Sequence, residues 1–249
     1  MTSRIIFQNE LETLNQDVST MATLARESVG KAVQCIVNHE PELREEVERL
    51  DKEIYRLEQL IEKRCLDIIG LQTPVAGDLR TISTCLKIIT DLDRIGRYAS
   101  DIVEVYDCLA SSNGLVRQVN IPNMAELVTS MVEDAVKAFI ERDPEAAREL
   151  FERDDEIDRL YDTNFRAVLT YMMENPHLIS SGIHLILIAR YLERIADHSC
   201  NIGERVVYMV TAERMNPKER KKDHKLNTMC EVPKEPDGDS YSAHELEEK

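Results

Sequence analysis

The sequence predicts an all-α protein made of two tandem, pseudo-symmetric three-helix bundles that are followed by a charged tail. Its 249 residues include 8 Gly, 8 Pro and no Trp, and 31% are charged, a composition typical of long helices. The chain also repeats itself. Residues 51–57 read DKEIYRL and residues 154–160 read DDEIDRL, while LDRI at 92–95 matches LERI at 192–195. A period near 100 residues indicates an internal duplication.

The duplication sets the predicted domain boundaries. With a shift of 103 residues, positions 21–57 overlie 124–160 with fourteen of 37 identities, and from residue 88 to 104 the shift falls to 100. Because loops tolerate deletions, we place this three-residue change near Pro74 or Pro176. The predicted units are a first bundle, a second bundle and a disordered tail, at residues 1–112, 113–214 and 215–249.

Each repeat is predicted to hold three helices. In the first repeat they span about residues 7–38, 41–70 and 75–110. Pro41 and Glu42 favour the start of the second helix, since proline and a negative charge both suit a first turn. The SSNG run at 111–114 is interpreted as the linker between repeats. In the second repeat the predicted helices span about residues 122–142, 144–174 and 179–213.

The third helix of each repeat carries a heptad pattern, in which apolar residues alternate three and four positions apart. Beside this row runs a second row of small residues, so we expect this helix to pack between two neighbours. The heptad rows are Cys85, Ile88, Leu92, Ile95, Ala99, Ile102, Tyr106 and Leu109 in the first repeat, and Leu185, Ile188, Leu192, Ile195, Ser199, Ile202, Val206 and Met209 in the second.

Charge and composition exclude several functional classes. The formal net charge of −16 leaves the body of the chain without the basic surface that nucleic-acid binding requires. No apolar run is long enough to span a bilayer, and the N-terminus lacks the apolar core of a signal peptide, so we predict a cytoplasmic protein without membrane insertion. The six Cys form no C-x-x-C pair and are expected to be reduced core thiols.

Paired acids are the candidate cation ligands. Asp154 and Asp158 share one helix face, as do Glu193 and Asp197, because each pair is four residues apart. If the two helices pack antiparallel, four carboxylates meet and favour a hard cation such as Mg, Mn, Ca or iron. About nine such spacings are expected by chance in so acidic a chain, so the argument depends on their position in the best-preserved segments of the repeat.

These segments resemble the PhoU family of phosphate-uptake regulators. The residues that carry the resemblance are LERIADH at 192–198, NIGE at 201–204, VAGDLR at 75–80 and LDRIG at 92–96. The resemblance implies a non-enzymatic negative regulator, often a homodimer, that works with the ATPase subunit of the phosphate transporter and with the phosphate-sensing histidine kinase. It also implies a divalent metal or an iron cluster on paired acid motifs.

Residue by residue, the second repeat keeps both acid motifs and the first does not. The second-repeat ligands are Asp154, Asp158, Glu193 and Asp197. In the first repeat, Asp51 and Asp93 remain, but Tyr55 and Arg97 stand where the second acids are expected. We expect Arg97 to pair with Asp51 or Asp93, which leaves the first site degenerate.

Five further residues have a structural interpretation, and three of them have a functional one as well. Asp78 and Arg80 match the family's D-L-R and equally fit the flank of the third helix. His198 is either a helix-surface residue or a ligand. Arg94 and Arg194 occupy equivalent positions in the repeats and are expected to pair with neighbouring acids.

Three alternatives remain open. A metal-free helical adaptor accounts equally well for the heptads and the charge. An accessory protein of another phosphate transporter has the same sequence features. A di-metal carboxylate enzyme of the ferritin type needs Glu-x-x-His on two helices, and the only such spacing, Glu174 to His177, is interrupted by Pro176.

Overall fold

The computed structural model describes residues 2–105, 109 and 119–215, and within them it contains six long helices and no strand. The helices are α1 Thr2–Gln34, α2 Leu43–Gln72, α3 Ala76–Glu104, α4 Ile121–Glu141, α5 Pro144–Glu174 and α6 Ile179–Thr211. A π-helical turn, Cys35–His39, extends α1, and a 3-10 turn, Pro176–Leu178, precedes α6. The predicted fold class is confirmed. The predicted 111–114 linker and almost all of the predicted tail lie outside the described residues.

Local chemistry explains the helix ends. At α5 the Oδ1 atom of Asp143 accepts hydrogen bonds from the backbone N–H groups of Glu145 at 2.9 Å and Ala146 at 3.1 Å. This cap satisfies two of the donors that a helix N-terminus leaves unpaired, and Pro144 follows it at the first helical position. Between α2 and α3 the chain turns through residues 73–75, one of the two places where the three-residue change in the repeat shift is predicted.

The helices of each repeat pack side by side. Helix α1 lies against α2 and α3, and α4 lies against α5 and α6. Two close approaches show that α5 and α6 are antiparallel. Near one end, a Cβ placed on Gly203 would lie 2.9 Å from the carbonyl oxygen of Ala147, and near the other, a Cβ on Gly182 would lie 2.7 Å from Met172. The carboxylates midway along these helices therefore face the same groove.

The heptad prediction is confirmed for every described position, because all of these side chains are buried. Tyr106 alone lies outside the described residues. The adjacent small residues, including Gly96, Ala196 and Gly203, are buried as well. The four described cysteines are buried thiols, and burial raises the pKa of Cys65 and Cys85 to about 12, which suppresses their reactivity.

The two repeats are joined through α3 and α6, which pack on each other about as extensively as helices within one repeat. The Arg80 Nε donates a hydrogen bond to the Met209 carbonyl oxygen at 3.2 Å, so the start of α3 adjoins the end of α6. Helices α1 and α4 also touch, with an Arg26–Glu133 ion pair at 2.9 Å. One continuous apolar core consequently runs through both repeats. In the described part of the chain, no helix has the length and apolarity needed to cross a bilayer.

Candidate functional site

The second-repeat acids lie where α5 and α6 face each other. Glu193 is largely enclosed, with its side chain 14% exposed. The Arg190 Nη1 donates a hydrogen bond to Glu193 Oε1 at 2.6 Å. The buried Glu193 Oε2 has no hydrogen-bond partner in the described structure, although Arg194 Nε lies 3.8 Å from it. One turn further along α6, Arg194 Nη1 lies 3.3 Å from Asp197 Oδ2. Each α6 carboxylate is thus paired with an arginine of its own helix.

Acids from both helices affect the pKa of Glu193. Burial, followed by the negative charges of Asp197 on α6 and Asp158 on α5, raises the pKa of Glu193 to about 7. Arg190 and Arg194 act in the opposite direction without cancelling the shift. Asp158 is therefore within electrostatic reach of Glu193 across the groove. Asp154, one turn earlier on α5, is half-buried on the same face.

Some of these observations favour a bound cation between α5 and α6, and others oppose it. A buried carboxylate oxygen without a donor and a raised glutamate pKa are both features that a bound cation would relieve. However, within residues 2–105, 109 and 119–215, no group of three or more His, Cys, Asp or Glu side chains is arranged closely enough to hold a metal ion. Arg190 and Arg194 occupy part of the space between the acids. The metal site of the second repeat stays a prediction.

In the first repeat, an arginine takes the place of the missing acid. Arg97 Nη1 lies 3.2 Å from Asp51 Oδ2, which confirms the expected ion pair. Burial raises the pKa of Asp51 and that of Asp93, and Arg97 partly offsets both shifts. Tyr55 is half-exposed on the outer side of α2 and contributes no ligand oxygen from a carboxylate. A fixed positive charge therefore stands where Asp197 stands in the second repeat.

A polar contact between the repeats was missed by sequence reasoning. The Asp91 Oδ1 atom on α3 lies 2.8 Å from His198 Nδ1 and 3.0 Å from Asn201 Nδ2, both on α6. Tyr98 stacks on Tyr191 with ring centroids 5.8 Å apart and also touches the His198 ring. His198 is thus neither a free surface residue nor a member of the acid groove. It connects the second repeat to the first through its hydrogen bond with Asp91.

The repeat itself contained the signal for this contact. With the shift of 100, Asp91 corresponds to Tyr191 and Tyr98 to His198, so equivalent positions on α3 and α6 face each other across a pseudo-twofold axis. Burial, followed by the nearby Asp101 carboxylate, raises the pKa of Tyr191. Each half of the contact therefore includes an acid: Asp91 lies beside His198, and Asp101 lies near Tyr191.

The remaining named residues resolve into structural roles. Arg80 ties α3 to α6 through the Met209 carbonyl, and Asp78 lies in the first turn of α3, where its negative charge is favourable. Arg194 pairs with Glu193 and Asp197, as expected, and the charge of Arg94 opposes the rise that burial causes in the pKa of Asp93.

Comparison with known proteins agrees with this architecture. The PhoU domain matches the chain twice, over residues 18–106 and 121–206. The chain belongs to the PhoU family. Among its relatives, the phosphate-specific transport system accessory protein PhoU homolog of Aquifex aeolicus (strain VF5) is 41% identical, over 82% of this chain and 92% of the relative.

Two solved PhoU structures share the fold. The crystal structure of PhoU from Pseudomonas aeruginosa superposes with a TM-score of 0.77 at 32% identity, covering 83% of this chain and 100% of that one. The phosphate transport system regulatory protein PhoU from Streptococcus pneumoniae gives a TM-score of 0.75 at 27% identity, covering 84% and 99% of the two chains. The six-helix arrangement is therefore shared over nearly the whole length of both PhoU chains.

Proposed function

We propose that this PhoU-family protein is an accessory regulator of phosphate uptake, which acts by binding protein partners and catalyses no reaction. Its partners are the ATPase subunit of a phosphate-specific transporter and a phosphate-sensing histidine kinase, and its effect on uptake and signalling is negative. The observation that carries the proposal is the double PhoU domain match, since relatives of similar length are named accessory proteins of phosphate-specific transport systems.

The shape of the molecule supports a binding role. The surface exposes large apolar side chains near both hairpin turns of the fold, including Leu71 and Val75 between α2 and α3, and Met173 and Ile179 between α5 and α6. Exposed apolar groups of this kind favour contacts with other proteins. We propose that these contacts include a second copy of the chain. Mass measurement of the purified protein in solution tests the homodimer, and a monomer at all concentrations would contradict it.

Partner binding is tested directly with purified components. The immobilised protein is presented with the transporter ATPase subunit, with the cytoplasmic part of the kinase, and with the ATPase subunit of a different phosphate transporter as control. We expect retention of the first two only. Retention of the control alone would assign the protein to another transport system, and no retention of any of them would reject the proposal.

The regulatory effect requires a cellular assay. In a bacterium deleted for its own PhoU-family protein, expression of this chain is expected to restore repression of a phosphate-starvation reporter when phosphate is abundant. The Leu71→Ser/Val75→Ser variant alters the exposed turn without touching the core and serves to locate the partner surface. A reporter that stays fully active with the wild-type chain present would count against a negative regulator.

We further propose that a hard cation, a divalent metal or an iron cluster, binds the second repeat through Asp154, Asp158, Glu193 and Asp197. What supports this is the buried, unbonded Oε2 atom of Glu193 together with its raised pKa. Oxygen donors suit such cations, and the positive charge would compensate clustered carboxylates. Binding requires the Arg194 side chain to swing away from Asp197.

The metal-free adaptor is the second candidate, and the same arginines favour it. With Arg190 on Glu193 and Arg194 on Asp197, the α6 acids are already compensated in part. Partner binding does not depend on which of these two forms is correct. Metal content and partner retention are therefore measured separately.

A further inference from the structure

Helix α2 carries a row of cations on its solvent side. Arg49, Lys52 and Arg56 are exposed and follow one another at helical spacing, and they line a surface concavity together with one acid, Glu53, and with Leu57 and Leu60. Among the described residues, no carboxylate forms a salt bridge with any of the three. Leu60 is 47% exposed, so an apolar contact site adjoins the row. We call Arg49, Lys52, Arg56, Leu57 and Leu60 the basic row.

Comparison of the repeats shows that the fold does not require this charge. With the shift of 103, Arg49 and Lys52 correspond to Glu152 and Asp155 on α5, and only Arg56 keeps its charge, as Arg159. The two helices occupy equivalent places in their bundles. The basic row is therefore present on α2 and absent from its counterpart α5, in a chain whose net charge is −16.

The chain also contains a segment of complementary charge. Residues 231–249 carry seven Asp and Glu side chains against two lysines, Lys234 and Lys249, and they include the apolar residues Val232 and Leu246. We propose that this acidic C-terminal segment docks on the basic row of α2, with its carboxylates on the cations and an apolar side chain against Leu57 and Leu60. This inference is independent of the partners proposed above.

The end of the described chain is well placed for this contact. The Arg80–Met209 hydrogen bond puts the C-terminal end of α6 beside the start of α3, and α3 follows α2 after a three-residue turn. Leu60 is twelve residues before the end of α2, roughly 18 Å along the helix. The chain from Met215 to Glu231 has a root-mean-square span of roughly 20–24 Å if it behaves as a flexible coil. A tether of this length can therefore reach Leu60, at the near end of the basic row.

Tethering makes weak contacts sufficient. Exposed ion pairs are individually weak, but a short flexible tether gives an effective concentration of the order of millimolar, so binding within the chain outcompetes dilute acidic peptides. Such a contact is screened by salt, because the Debye length falls from about 30 Å at 0.01 M to about 3 Å at 1 M. Docking is expected at low salt and release at high salt.

Paramagnetic NMR on the full chain tests the docking. A nitroxide label is attached to Cys230, and the Cys230→Ser chain treated identically is the blank for labelling elsewhere. We expect amides of residues 49–60 to lose most of their intensity at low salt, and to recover it at molar salt. The equivalent residues 152–163 of α5 serve as a control within the same molecule and should keep their intensity.

Matched variants assign the effect to the basic row. Arg49→Glu/Lys52→Asp introduces the residues that α5 already carries at these positions, so the fold should tolerate it, and it should abolish the broadening on α2. Lys87→Glu/Lys137→Glu changes the net charge by the same amount elsewhere on the surface, where both lysines are exposed, and should leave the broadening intact. Loss of the broadening in both variants would show that it depends on net charge and not on the basic row, and would overturn the proposal.

Three further results would reject docking of the C-terminal segment within one chain. Absence of broadening on α2 in the wild-type chain, or equal broadening on α5, would reject the docking site. Mixing isotope-labelled chains without nitroxide and nitroxide-labelled chains without isotope detects contact between molecules. Broadening that appears equally in this mixture would assign the basic row to the tail of a second copy and contradict docking within one chain.

Discussion

Replacing Glu193 by Gln should stabilise the protein at alkaline pH. The pKa of Glu193 rises from 4.5 to about 7, chiefly through burial and then through Asp197. Each pKa unit corresponds to about 1.36 kcal/mol, so the ionised carboxylate costs up to about 3 kcal/mol of folding free energy relative to its protonated form. The Gln side chain keeps an oxygen that can accept the Arg190 hydrogen bond and carries no charge.

The sign of the pH dependence follows from the raised pKa. The favourable contribution of protonated Glu193 is fully present below pH 4.5 and is lost as pH rises through about 7. Wild-type stability should therefore fall over this interval relative to Glu193→Gln. The two proteins should be nearly equal at pH 4, and the variant should be more stable at pH 8 by up to about 3 kcal/mol.

Urea unfolding in the presence of a chelator, repeated across this pH range, measures the difference. Glu53→Gln, at an exposed position on α2, is the matched control and should show no pH-dependent gain. If the free-energy difference between wild type and Glu193→Gln does not grow with pH, Glu193 does not carry the electrostatic cost assigned to it.

Further predictions concern packing and the first repeat. Gly203→Ala should destabilise the protein by about 1–3 kcal/mol in urea unfolding, because the new Cβ would meet a backbone carbonyl at 2.9 Å. Gly30→Ala, where nothing lies within 4 Å, should instead stabilise it by about 0.5–1 kcal/mol. Asp91→Ala removes both hydrogen bonds to α6 and should cost about 1–3 kcal/mol; a neutral effect would show that these bonds do not hold the repeats together. Arg97→Ala should raise the pKa of Asp51 further, measured by carboxyl NMR titration, and an unchanged or lower pKa would contradict the observed ion pair.

Sequence patterns predicted the elements that depend on local chemistry. Helix α5 matches its predicted span at both ends, since Pro144 favours a helix start and Pro176 prevents continuation. The heptads on α3 and α6 identified the buried rows because their spacing encodes a face of the helix. The ion pair of Arg97 was predicted by comparing the repeats, because Arg97 stands in the first repeat where the second has Asp197.

Features that depend on packing between the repeats were not predicted. The predicted pair of bundles leaves open how the two meet, and in the structure α3 and α6 join them through one core. The hydrogen bonds that Asp91 accepts from His198 and Asn201 join residues 107 and 110 positions apart in the sequence. Nothing local to Asp91 specifies such a partner. The pairing of Arg190 with Glu193 is different, because the two residues are three apart on α6 and their spacing already allows an ion pair.

The asymmetry of the two repeats is tested most directly by metal stoichiometry. Purified wild type, Asp158→Ala/Asp197→Ala and Tyr55→Asp/Arg97→Asp are loaded with Mn²⁺ and analysed by native mass spectrometry. We expect one occupied site in wild type, none in the first variant, and a second site in the variant that restores the missing acids of the first repeat. Equal occupancy of both repeats in wild type, or metal content unaffected by loss of Asp158 and Asp197, would contradict it.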